Sequence, residues 1–109
     1  MSKRGDIILV PFPFTDLSSA KVRPALVLSH GNDHKPDVIV CFISSNLEGK
    51  NPSAVRIEPK TSNGLKVPSV VRFDKIATLD KRIVLGAIGS LSPEWLKKHQ
   101  KEFLSVFGL

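Results

Sequence analysis

Cysteine is all but missing from this chain: Cys41 stands alone among 109 residues, so no internal disulfide can staple the fold. It lies within "VIVCFI", where a small apolar residue fits, and reads as a buried thiol rather than a reactive one. No apolar run approaches the ~20 residues of a membrane-spanning helix, and the opening "MSKRGD" lacks the apolar core of a secretory signal. A cytoplasmic protein without membrane attachment is therefore expected. His30, His34 and Cys41 form no recognisable zinc spacing, and His99 stands apart from them, so neither a metal site nor a cofactor is expected. A glycine-rich phosphate loop, a paired-cysteine motif and a serine elbow are all absent. So are internal repeats and low-complexity segments. Acidic residues are the minority, 10 against 16 basic ones, leaving a net charge of +6. That excess suits a polyanionic partner, either nucleic acid or an acidic protein.

What is present fits one domain, residues 1–109, long enough to bury roughly two-thirds of its unfolded surface without staples. Residues 6–14 alternate, with Ile8, Val10, Phe12 and Phe14 sharing one face of an extended chain. Pro11 and Pro13 fall on the other parity. Because proline has no ladder donor, they predict a strand that leaves its sheet near Val10 and runs on extended. A polar loop, "TDLSSAK", follows. "PALVLS" (24–29) is almost wholly apolar and predicts a strand buried on both sides, and "DVIVCFIS" (37–44) predicts a third. "AVRIEP" (54–59) gives a short fourth strand, and "KTSNG" (60–64) is turn chemistry around Asn63–Gly64. "VPSVVRFDKIATL" (67–79) is a fifth strand. "RIVLGAIGSL" (82–91) is a sixth, with Gly86 and Gly89 marking bends or bulges.

The period then changes. Ser92 is a natural N-cap, Pro93 suits the first helical position and Glu94 the positive helix end. Leu96, His99, Phe103 and Val106 or Phe107 recur at helical spacing up to Gly108, with His99 read as a packed core histidine. Short strands punctuated by proline and glycine, closed by one terminal helix, predict a mainly β fold. It would be a small, partly open barrel with the helix over one opening or edge.

Three stretches carry candidate chemistry. Arg23 precedes Pro24, which pushes its backbone toward extended geometry at the mouth of an apolar run. A guanidinium held there matches two phosphate oxygens and stays charged at any working pH. The alternative is a structural salt bridge to Asp16 or Asp74. Arg72 and Asp74, two apart in a strand, face the same side and make either an ion pair or a site. Ser44, Ser45 and Asn46 emerge where an apolar strand leaves the core. There they serve phosphates or base edges, or ordinary turn chemistry.

"GDIILVPFPFTDLSSAKVRPALVLS" (5–29), "VIVCFISSN" (38–46) and "VVRFDKIATLDKR" (70–82) together resemble, in order and spacing, the PemK/MazF family of bacterial toxins over nearly the whole chain. The resemblance implies an SH3-like barrel of five to six antiparallel strands with a C-terminal α-helix. It implies a homodimer whose two-fold groove binds single-stranded RNA. The activity implied is a metal-independent, sequence-specific endoribonuclease that leaves a cyclic phosphate and a 5′-hydroxyl. A cognate antitoxin would insert an acidic, disordered tail into the groove, and the toxin–antitoxin complex would bind DNA. By position, Arg23, Ser44, Arg72 and Asp74 would be catalytic, and Asp16, Ser18, Lys21, Ser45 and Asn46 would contact RNA. The chain departs from the family twice: Ser18 stands where one branch has glutamate, with no His or Glu in residues 15–22, and Ser44 replaces a common threonine. A non-catalytic barrel that binds an antitoxin or another protein is the alternative. The tail "LSVFGL" argues against a partner-binding helix end, since its apolar residues suit packing better.

Overall fold

The alternating apolar residues that open the chain form the second-last strand of a single sheet. The computed structural model describes residues 2–12, 21–30 and 34–109. Its strands are β1 (Asp6–Phe12), β2 (Lys21–Val27), β3 (Asp37–Ser44), β4 (Ala54–Ile57), β5 (Ser69–Asp80) and β6 (Gly86–Ser90). All neighbours pair antiparallel, in the order β4-β5-β3-β2-β1-β6. The sheet curls into a partly open barrel, and two short helices, α1 (Pro93–Lys98) and α2 (Gln100–Ser105), follow it. Among the described residues no helix is long and apolar enough to cross a membrane.

Both faces of the central strands are apolar, as the unbroken run in β2 predicts. Ala25, Leu26 and Val27 are all fully buried. One face gathers Ile7, Leu26, Cys41, Ile43, Val71 and Phe73, roofed by Trp95, Leu96, Phe103 and Val106 from the helices. Phe73 is the hub, with its ring 5.8 Å from Phe103, edge-on, and 6.2 Å from Trp95. The other face gathers Ile8, Val10, Ala25, Val27, Val40 and Phe42.

The prolines do less to end pairing than the sequence suggests. β1 does not leave the sheet near Val10: Pro11 still pairs with Val22, and Phe12 with Lys21. Backbone groups alternate sides along an antiparallel strand, and the Leu9 carbonyl accepts from Leu85 on the β6 side. Pro11, two residues on, therefore turns its donorless nitrogen toward β6, whose ladder has already stopped at Leu9. Pro24 obeys the same rule. Leu28 donates toward β3, so Pro24 faces β3 too, one residue beyond the last pair, Ala25 with Phe42. Each proline stands where a ladder is already over. Pro13 and Phe14 lie outside the described residues.

Other expectations need correction. Residues 82–85 are not strand: a 3-10 turn spans Lys81–Ile83, and the Asp80 carboxylate accepts from the Arg82 backbone N–H at 2.9 Å. Gly86 and Gly89 flank an irregularity in the β1–β6 register, as bend-forming glycines should. The terminal helix is two helices. Ser92 caps the first through its hydroxyl, accepting from Trp95 N–H at 3.1 Å, but His99 leaves helical geometry at φ −105°, ψ 17°. Its ring is held by stacking on Trp95, centroids 4.5 Å apart, and by Glu102 at 3.4 Å. His99 is packed, as expected, with 17% of its side chain exposed. Of the final apolar residues Val106 packs on the core and Phe107 meets Phe103 edge-on at 5.4 Å, but Phe107 is still 54% and Leu109 84% exposed.

The turn after β4 is built round Asn63, buried to 2%. Its Oδ1 accepts from the Lys60 and Leu65 backbone at 3.0 Å each, and its Nδ2 donates to the Glu58 carbonyl at 2.9 Å. Gly64 supplies the left-handed residue at φ 72°. Gly89 presses on this turn so closely that a Cβ would meet the Asn63 carbonyl carbon at 2.3 Å. Asn63→Ala, which orphans buried backbone groups, is expected to cost about 1–3 kcal/mol. Gly89→Ala, which overpacks backbone against backbone, should cost a similar ~1–3 kcal/mol or more. Urea unfolding monitored by Trp95 fluorescence checks both.

Candidate functional site

Side-chain alternation and ladder register bring four of the candidate residues together. Ala25 pairs with Phe42, and Phe42 with Arg72, which in turn pairs with Ala54. These four make one row across the sheet. In the next row Ser44 pairs with Val70, and Val70 with Arg56. Continuing the β2–β3 register past Ala25–Phe42 by two residues sets Arg23 opposite Ser44. Residues across a row share a face, so Arg23, Ser44 and Arg72 all stand on the Phe42 side of the sheet, away from the helices. The backbones of β2 and β5 are about 10 Å apart with β3 between them, within the combined reach of two arginine side chains.

Asp74 joins them through Arg72. Arg72 donates from Nε to Asp74 Oδ1 at 2.9 Å and from Nη2 to Oδ2 at 2.7 Å, a bidentate pair. Each side chain is about one-third exposed, at 30% and 33%. The Arg72 guanidinium, by hydrogen bonding and by charge, holds the Asp74 carboxyl below the usual carboxylate range. Asp74 in return raises Arg72 above its ordinary value, so both groups are ionised. A bulge makes room for the pair. Between Cys41 and Phe42 the β5 partner jumps from Ile76 to Arg72, leaving Phe73, Asp74 and Lys75 without a β3 partner. Phe73 turns into the helix-covered core, and its N–H donates to the Ser53 carbonyl at 3.0 Å.

The pair borders a cleft of about 210 Å³ between the β3–β4 loop and the sheet, lined by Asn46, Glu48, Asn51, Arg56 and Arg72 among others. Ser44 holds Asn46, one of the lining residues: its Oγ accepts from the Asn46 backbone N–H at 3.1 Å, and Asn46 Oδ1 accepts from Glu48 N–H at 3.0 Å. Turn chemistry is therefore present at Ser44 and Asn46, as the plainer reading has it, and the Ser44 hydroxyl keeps its proton for a second partner. Ser45 is exposed beside them, and Lys21 is exposed at the start of β2. Asp16 and Ser18, the other candidate contacts, lie outside the described residues. Asn51 escaped the sequence reading. It donates from Nδ2 to Asp74 Oδ2 at 3.3 Å, and "EGKNPS" contains no signal beyond turn composition to single it out.

Cys41 is fully buried, and burial pushes its thiol up to about 12, so it is inert, as its apolar setting suggests. A larger groove of about 920 Å³ opens on the helical side, among Lys3, Arg4, Leu28, His30, Leu96 and Phe103, with no carboxylate among the described residues that line it. Among the described residues no cluster of three His, Cys, Asp or Glu could hold a metal ion. Arg72 lines the 210 Å³ cleft and pairs with the Asp74 carboxylate. A guanidinium fork can hold a phosphodiester, and a carboxylate can move a proton.

The family of PemK-like, MazF-like toxins of type II toxin–antitoxin systems matches the chain over residues 3–107. The endoribonuclease MazF of Staphylococcus saprophyticus is 31% identical over 102 residues, covering 90% of this chain and 84% of that protein. Among solved structures, an endoribonuclease in complex with its cognate antitoxin from a mycobacterial species superposes with a TM-score of 0.80 at 22% identity, over 100% of this chain and 97% of the other. The Mycobacterium tuberculosis toxin MazF-mt6 gives a TM-score of 0.76 at 24% identity, over 95% and 97%.

If the Arg72–Asp74 pair were there for stability, breaking it would be costly. A pair this exposed contributes about 1 kcal/mol or less. Asp74→Asn and Arg72→Lys are therefore expected to unfold within about 1 kcal/mol of the parent in urea.

Proposed function

The chain belongs to the PemK-like, MazF-like toxins of type II toxin–antitoxin systems, and we propose that it is a sequence-specific endoribonuclease acting on single-stranded RNA without a metal ion. The observation that carries this reading is the ionised Arg72–Asp74 pair on the sheet face that also bears Arg23 and Ser44. RNA brings its own nucleophile, the 2′-hydroxyl, so the protein has to orient the strand, take a proton and neutralise the charge that grows on phosphorus.

In this reading Asp74 accepts the 2′-hydroxyl proton as that oxygen attacks phosphorus. The bond to the 5′-oxygen breaks, and the departing oxygen takes a proton from water. One fragment keeps a 2′,3′-cyclic phosphate and the other a 5′-hydroxyl. Arg23 and Arg72 grip the phosphate and offset its charge. Arginine is too weak an acid for proton transfer to be its main task. Ser44 donates to a phosphate oxygen. Lys21, Ser45 and Asn46 contact the flanking nucleotides, together with Asp16 and Ser18 from the 13–20 segment. DNA is excluded by chemistry, since it lacks the attacking hydroxyl.

The partners follow from the same face. An excess of six positive charges suits an antitoxin with an acidic tail, and the mycobacterial relative was solved with its cognate antitoxin. We assign this chain a like partner, a homodimeric state in which two copies line one groove, and a cytoplasmic location.

A second reading, a barrel that binds its antitoxin without cutting RNA, is favoured by one observation. The same contact that orients Arg72 depresses the proton affinity of Asp74, and residues 15–22 offer no His or Glu in its place. One experiment separates the two. The purified protein is incubated with a long RNA in EDTA and the 5′ ends are mapped. Discrete cuts are expected, with none in the all-deoxy strand. Arg23→Ala and Arg72→Ala should each lose about 10²–10³-fold in rate. Full cleavage by Arg23→Ala overturns its assignment, and no cleavage by the parent at high protein concentration selects the binding-only reading.

A further inference from the structure

We propose that Asn51 is a positioning residue of this cleft: its side-chain amide locks the Asp74 carboxylate against Arg72 and couples that pair to the β3–β4 loop. Its two ends work in different directions. Oδ1 accepts from the Ser53 backbone N–H at 2.8 Å, and Nδ2 donates to Asp74 Oδ2 at 3.3 Å. A flipped amide would set NH₂ against an N–H and an oxygen against a carboxylate, so this orientation is the one the surroundings permit. The loop that carries it is tied down on both sides. The Asn51 carbonyl accepts from Ala54 at 3.0 Å, the Ser53 carbonyl accepts from Phe73 at 3.0 Å, and Ser53 Oγ lies 3.3 Å from Ser105 Oγ on the second helix. Asn51 therefore reaches Asp74 from a fixed frame.

The consequence for Asp74 follows from its neighbours. Arg72 holds it from its own strand, Asn51 from the loop, and its own backbone N–H adds a third hydrogen bond. The Cys41 thiol on β3 also feels its charge, but is uncharged at working pH. Every group that donates to the carboxylate favours its ionised form. Asn51 thus keeps Asp74 charged, and Arg72 oriented, further into acid than Arg72 alone would. Removing the donor raises the carboxyl's pKa, so protonation sets in at a higher pH.

The proposal rests on the preceding function only where Asp74 is given the base role, and its test has an arm that needs no RNA. The Asp74 carboxyl carbon is titrated by NMR in the RNA-free parent, in Asn51→Ala and in Asn51→Ser. Asn51→Ser keeps a hydroxyl oxygen for the Ser53 N–H, so the loop holds, but it is too short to donate to Asp74 and adds no charge. The Asp74 midpoint is expected to move to higher pH in both variants. The acid limb of the RNA-cleavage profile should move with it, while KM stays near the parent value. An unchanged midpoint in both variants overturns the proposal. So does a shift in Asn51→Ala alone, which makes Asn51 a loop residue only. If the parent cuts no RNA, the endoribonuclease reading fails and the carboxyl titration still decides the role of Asn51.

Discussion

Two ladders, β2 on β3 and β3 on β5, hold the rest of the molecule in place. Their central residues are apolar on both faces, which leaves little in the core itself to distinguish one register from a neighbouring one. The polar residues at the ends of the rows supply the distinction. A slip by one residue turns every side chain over, and it would drive Arg23 or Arg72 into the face that Phe73, Trp95 and Phe103 fill. Burying an unpartnered guanidinium costs far more than a lost apolar contact. The charges that make the cleft thus also specify the register that builds it.

Within the cleft, orientation and basicity pull against each other. A bidentate contact fixes the Arg72 fork where a phosphate can meet its remaining N–H groups, and each hydrogen bond given to Asp74 makes that carboxylate a weaker proton acceptor. A site organised this way draws more of its rate from placing the strand and stabilising charge than from proton transfer. In the proposed reaction, water and the RNA's own hydroxyl complete the chemistry. A carboxylate one-third exposed and with depressed proton affinity would be tolerable there, with the two guanidiniums lowering most of the barrier.

The parts that hold the cleft open are irregular. Phe73 to Lys75 bulge away from β3, so Phe73 can anchor the helices while Asp74 turns to Arg72. The Asn63 turn is pinned by Gly89, and the tail breaks at His99 into two short helices. Each irregularity is satisfied by a local hydrogen bond or ring contact.

Strand existence and face were legible in the chain itself, because period-two alternation and all-apolar runs report burial directly. So did the N-cap at Ser92, the turn at Asn63–Gly64 and the same-side placement of Arg72 and Asp74, since each depends on residues close in sequence. Other features were decided only by tertiary structure. Proline at 11 stays paired because β6 has already ended on its open side. The helix breaks at 99, where the histidine ring meets Trp95 and Glu102. Phe107 and Leu109 stay largely exposed although their apolar character suits packing. Asn51 meets Asp74 across 23 residues of chain, a contact no local pattern encodes. Local patterning determined which residues lie together on a strand or turn. Which strand lies beside which, and therefore which polar groups converge, was set by long-range register.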